Sequence, residues 1–168
     1  VGDSFAASFH SASDALNAAL AAQRLLQNEA WSPARIKVRM GIHTGAAQLE
    51  TEPKENAYSG YATIALAQRI MSAGHGGQIL LSQTTYDLIR DQLPENALLM
   101  DMGERSLKDI FRLEHLYQVS TPDLPSEFPA LKTLDMQLNN LPAQMTSFIG
   151  RKKEGEQIKK RLEKNRLV

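Results

Sequence analysis

The chain has 168 residues, 42% of them hydrophobic, enough for one compact core with a short appended segment. Nineteen basic and nineteen acidic side chains cancel to a net charge of zero, so no global field recruits nucleic acid or an anionic membrane, and any anion site must be local. The absence of cysteine excludes disulfides and thiolate zinc sites and fits a reducing compartment such as the cytoplasm, and no apolar run approaches the roughly 18 residues of a membrane span.

Residues 1–9 set Phe5, Ala7 and Phe9 against smaller or polar neighbours, the period of a half-buried strand. Over residues 11–29 the pattern becomes helical: Ala12, Leu16, Ala19, Leu20 and Leu26 recur at mostly three- and four-residue steps, with Ser11 or Ser13 as the cap. Trp31-Ser-Pro33 breaks this helix. Ile36, Val38, Met40 and Ile42 then alternate with Lys37, Arg39 and Gly41 as a second strand, and Gly45 turns the chain into a third over residues 46–50.

A polar loop at 51–56 leads to a helix over 62–71, which Gly74-His-Gly-Gly77 ends. A short strand at 78–81 follows, then a helix capped by Ser82 and running through Leu93, where Pro94 closes it. Residues 98–107 and 115–120 read as a hairpin around Lys108-Asp109. This order predicts an α+β sheet with helices on one face.

Composition shifts after Ser120: Pro122, Pro125, Pro129 and Pro142, with Asn139-Asn140, suit a linker. A basic helical segment begins at Gly150. The expected domains are therefore 1–121, a Pro-rich linker at 122–149, and the beginning of another domain at 150–168. Glutamates interspersed among the basic residues of the tail favour a solvated helix over a nucleic-acid contact.

Three stretches carry a family resemblance: Ile36-Lys-Val-Arg-Met-Gly-Ile-His-Thr-Gly45, Tyr58-Ser-Gly60, and Gln68-Arg-Ile-Met-Ser-Ala-Gly-His-Gly-Gly-Gln-Ile-Leu-Leu-Ser82. Together they resemble the catalytic domain of class III adenylate and guanylate cyclases over roughly residues 1–120. The resemblance implies a ferredoxin-like α+β domain, antiparallel-rich with helices packed on the sheet, whose active sites form between two protomers, so a homodimer is expected. It also implies a partial domain that starts after the family's first metal-binding strand and its purine-reading lysine.

Cyclisation of ATP or GTP needs two divalent cations on aspartates and cationic donors for the departing pyrophosphate. Gly2-Asp3-Ser-Phe-Ala-Ala-Ser-Phe9 looks like the family's metal-aspartate element, which makes Asp3 the implied ligand of Mg²⁺ or Mn²⁺. In the family's Asp-x-x-Gly-x-x-x-Asn-x-x-x-Arg pattern, Arg69 is the implied catalytic arginine, because a guanidinium matches phosphoryl oxygens bidentately, while the register counted from Gly60 puts Gln68 at that position. Lys108 aligns with a late lysine that contacts the triphosphate. The same pattern departs from the family at two positions. Ala65, or Ile64 in the register counted from Gly60, stands where the ribose-orienting asparagine is expected, and Ala57 or Tyr58 replaces the purine-reading aspartate.

His43 and Thr44 read as structural, since a lone histidine makes a poor metal site. Gly74–Gly77 follows a helix rather than opening one, so it is no phosphate loop. From Leu141 onward the tail resembles the beginning of a signalling ATPase domain of bacterial multidomain regulators. The family reaction is conversion of ATP or GTP to the cyclic nucleotide and pyrophosphate. Catalysis by these residues alone is not expected, and the alternative is a degenerate cyclase that binds nucleotide, or dimerises, to regulate a downstream ATPase domain.

Overall fold

A computed structural model describes residues 4–46 and 61–134. Helix α1 spans Ala12–Asn28 and is capped by Ser11, whose backbone is extended and whose side-chain oxygen accepts the Asp14 amide as an N-cap should. Its buried face is Leu16, Ala19, Leu20 and Gln23, steps of three and four. Gln23 is buried yet satisfied: Nε2 donates to the Val38 carbonyl at 2.7 Å.

Strand β1 is Met40–Ile42, α2 is Tyr61–Ala73, β2 is Ile79–Ser82, α3 is Gln83–Ile89, β3 is Leu98–Ser106 and β4 is Leu113–Ser120. The sheet order is β1-β2-β4-β3. β1 runs parallel to β2, joined through α2, whereas β2–β4 and β4–β3 are antiparallel. The β3–β4 ladder shifts register between Asp101 and Gly103, where Gly103 takes φ 73° and its amide bonds the Asp101 carboxylate.

Helices cover both faces of the sheet, not one as the element order suggests. Ile79 and Leu81 of β2 point into a core with Leu16 and Leu20 of α1, Ile89 of α3, and Tyr117 and Val119 of β4. Leu80, between them, points the other way into a second core with Leu66, Ile70 and Ala73 of α2, Leu107, Leu116 and Leu131. Side chains alternate along a strand, so a central strand buried throughout requires packing on both sides.

The expected first strand is absent over residues 4–9, and Val1–Asp3 lie outside the described residues. Phe5 is 87% exposed and Phe9 is 47% exposed, and the described sheet sets no strand beside this segment. An alternating pattern makes a strand only when a neighbour supplies the ladder bonds. The second strand is shorter than expected, Met40–Ile42 rather than 36–42, although the Gly77 amide still donates to the Val38 carbonyl. α3 stops at Ile89 rather than Leu93. The expected strand at 46–50, beyond Ala46, and the loop at 51–56 lie outside the described residues, as does everything from residue 135 onward.

Residues 121–134 lie along the domain as a strap. Arg24 of α1 forms a bidentate pair with Asp123, at 2.6 and 3.2 Å, and Gln27 donates to the Asp123 carbonyl. Gln78 Nε2 donates to Gln118 Oε1, and Gln118 Nε2 passes the chain on to the Ser126 carbonyl. Leu131 is buried in the second core, and the Lys132 amide donates to the Ala73 carbonyl at the end of α2.

Candidate functional site

The residues that the resemblance singles out are positioned by α2 and by the turn between β3 and β4. α2 presses Leu66, Ile70 and Ala73 into the second core, which leaves Arg69 partly exposed on its flank. It can lie this close to β1 because position 41 is glycine: a β-carbon there would stand 2.5 Å from the Met71 amide nitrogen and 2.7 Å from the Ala67 carbonyl oxygen.

The turn is held against α2 by the apolar residues that bracket it. Leu107, 2% exposed, enters the same core as Leu66 and Ile70, Ile110 packs against that core, and the Ile110 amide bonds the Leu107 carbonyl at 3.2 Å. Between these anchors Lys108 and Asp109 project to solvent, and Asp109 adopts φ 60°. Its Oδ2 accepts from Arg69 Nη2 at 2.6 Å. Two of the three site residues, Arg69 and Lys108, are thus brought to one locality, with Asp109 as the contact between helix and turn. Asp3 lies outside the described residues.

No sequence motif singles out Asp109. Its only local signal was a turn position that tolerates left-handed backbone, and the Arg69 contact spans 40 residues.

At the other end of β1, His43 Nδ1 lies 2.8 Å from Ser82 Oγ, and Thr44, Ser82 and Thr85 continue a chain of hydroxyl bonds at 3.1 to 3.2 Å. Ser82 also caps α3 by accepting the Thr85 amide. Burial lowers the His43 pKa from its ordinary 6.5, and among the smaller influences Glu114 raises it while Arg112 lowers it. A neutral imidazole tied to a helix cap ties β1 to α3, which agrees with a structural role for His43 and Thr44.

Among the described residues no group of three or more His, Cys, Asp or Glu side chains could hold a metal ion. The described residues therefore do not by themselves make the divalent-cation site that the resemblance implies. No described helix is long and apolar enough to cross a membrane. The α2 positions that the family fills with asparagine present Ile64, 57% exposed, and an exposed Ala65, so neither register supplies the asparagine.

Comparison with known proteins agrees with this architecture. The family model "Adenylate and Guanylate cyclase catalytic domain" matches residues 1–118. An uncharacterized protein of Mycobacterium tuberculosis is 41% identical over 152 residues, which are 90% of this chain and 50% of that protein. A receptor-type adenylate cyclase of Trypanosoma equiperdum is 28% identical over 86 residues, 51% of this chain and 18% of that protein. The chain spans about half the length of the mycobacterial relatives it matches. Among solved structures, an adenylate/guanylate cyclase/hydrolase from Silicibacter pomeroyi superposes with a TM-score of 0.53 at 26% identity, covering 68% of this chain and 65% of that one. With a family model matching well over half of its residues, and the α+β cyclase fold to go with it, the chain belongs to the class III adenylate and guanylate cyclase catalytic-domain family.

Proposed function

We propose that this chain is a divergent cyclase homology domain that binds the polyphosphate of ATP or GTP through Arg69 and Lys108 and does not cyclise the nucleotide on its own. The observation that carries this reading is the Arg69–Asp109 contact, which brings a partly exposed guanidinium against the turn that bears Lys108. A partly exposed guanidinium and a lysine in the turn it contacts are cationic donors of the kind that a triphosphate requires.

The case against catalysis rests on α2. Without an asparagine at position 64 or 65, that helix lacks the residue with which the family orients the ribose hydroxyl for attack, and proximity of that kind accounts for much of a cyclase's rate. Base recognition is altered too, since neither Ala57 nor Tyr58 offers a carboxylate. Asp3 as a Mg²⁺ or Mn²⁺ ligand belongs to the same proposal, as does the division into a cyclase domain at 1–121, a linker at 122–149 whose described part packs on that domain as the strap, and the start of an ATPase domain at 150–168. Mass-spectrometric assay of cyclic AMP and cyclic GMP, with Mn²⁺ or Mg²⁺ present, should find no product from the 168-residue chain. Turnover that Asp3→Ala abolishes would overturn the non-catalytic half of the proposal.

A second reading, a regulatory module that dimerises, is favoured by the outward side of α2. Tyr61 and Ile64 are 69% and 57% exposed there, one turn apart and close in sequence to Arg69. A homodimer through this side fits the family's habit of building sites between protomers. Sedimentation should then show a dimer that Ile64→Asp dissociates, and a monomeric wild type would remove this reading.

A further inference from the structure

Asp109 does more than fill a turn position with left-handed backbone. The turn is already fixed by Leu107 and Ile110, whose side chains are anchored in the second core on either side of it. Position 109 has left-handed backbone, φ 60°, the conformation that glycine adopts without penalty. An aspartate there accepts backbone strain while directing its carboxylate onto Arg69 at 2.6 Å.

A guanidinium offers the same planar fork of donors to a carboxylate and to a phosphoryl oxygen. A carboxylate seated on Arg69 therefore occupies a position in which an anionic ligand would be received, and Lys108, which precedes Asp109 in the turn, is exposed. We infer that Asp109 is a built-in competitor at this site: a positioning residue that holds the Arg69 guanidinium until a polyphosphate displaces it. This rests on the reading of Arg69 as a phosphate-binding group. Its consequence is selectivity by charge. A ligand with one weakly charged oxyanion gains little by replacing an internal carboxylate, whereas a tripolyphosphate engages Arg69 and Lys108 together.

The test is calorimetric titration of inorganic tripolyphosphate into the 168-residue chain at low ionic strength, comparing wild type, Asp109→Asn, Arg69→Gln and the double variant. Asparagine tolerates positive φ, so Asp109→Asn removes the charge and keeps the turn. Removing a competing exposed ion pair is expected to tighten tripolyphosphate binding about fivefold, and Arg69→Gln should erase that gain. Asp109→Gly, which also relieves the backbone, should reproduce it. Equal affinity of wild type and Asp109→Asn, with Arg69→Gln weakening both, would overturn the competitor role and leave the phosphate reading of Arg69 standing. A gain that survives in the double variant would assign the effect to overall charge and overturn the inference. Absence of binding in wild type and Asp109→Asn alike would overturn both.

Discussion

Gly41 of β1 and Met71 of α2 meet backbone to backbone: a β-carbon on Gly41 would lie 2.5 Å from the Met71 amide nitrogen. Neither partner in that contact is a flexible side chain that could give way, so helix or strand must move. Gly41→Ala is expected to destabilise the domain by about 1–3 kcal/mol, measured by urea denaturation, and to displace the helix that carries Arg69. Wild-type stability in Gly41→Ala would contradict the packing of α2 on β1.

The left-handed backbone at Asp109 makes a second prediction, independent of ligand. The Arg69 pair is partly exposed and contributes about 1 kcal/mol or less, while a side chain at φ 60° costs about as much again relative to glycine. Asp109→Gly should therefore be more stable than Asp109→Ala by about 1 kcal/mol. The reverse order in matched denaturation curves would remove the argument that Asp109 is kept at a backbone cost.

Ser82 holds both the α3 cap and the His43 contact, so Ser82→Ala should cost about 1–2 kcal/mol. His43 has its pKa lowered in the fold, chiefly by burial, so the unfolded chain binds the proton more readily. The neutral-histidine contribution is complete above the unfolded value of 6.5 and is lost as pH falls from there toward the depressed folded value. His43→Gln should flatten the dependence of stability on pH in that window. An unchanged slope would place the titration elsewhere.

Asp123 on the strap titrates in a different range. Its pKa falls from 3.8 to about 2, first because of the Arg24 hydrogen bond and then that of Thr121. A depressed carboxylate stabilises the fold above its unfolded pKa, and this contribution disappears as pH drops from 3.8 toward about 2. Asp123→Asn should lessen acid destabilisation within that interval. An acid limb identical to wild type would mean that the Arg24 pair does not hold the strap in solution.

What was legible in the sequence follows the range of each determinant. Caps are legible because a cap is a local bond: of the two candidates Ser11 and Ser13 the structure uses Ser11 at α1, and Ser82 caps α3 as expected. Arg69 and Lys108 could be named from motif position. The contact of Arg69 with Asp109 in the turn that bears Lys108 could not, because it depends on Leu107 and Ile110 docking against Leu66 and Ile70. The strand expected at Phe5 to Phe9 had the right alternation, but alternation does not supply a pairing partner. Packing on both faces had one overlooked clue. Ile79-Leu80-Leu81 is an unbroken apolar run, which suits a strand covered on both sides better than one exposed on one side.

Calorimetric titration of ATP into the 168-residue chain and its Arg69→Gln variant, with Mg²⁺ present, tests the central claim most directly. The account predicts a measurable affinity for ATP in the wild type that Arg69→Gln abolishes or lowers at least tenfold, the loss of a charge-assisted phosphate contact. Equal binding by the two proteins, or no binding by the wild type, would contradict it.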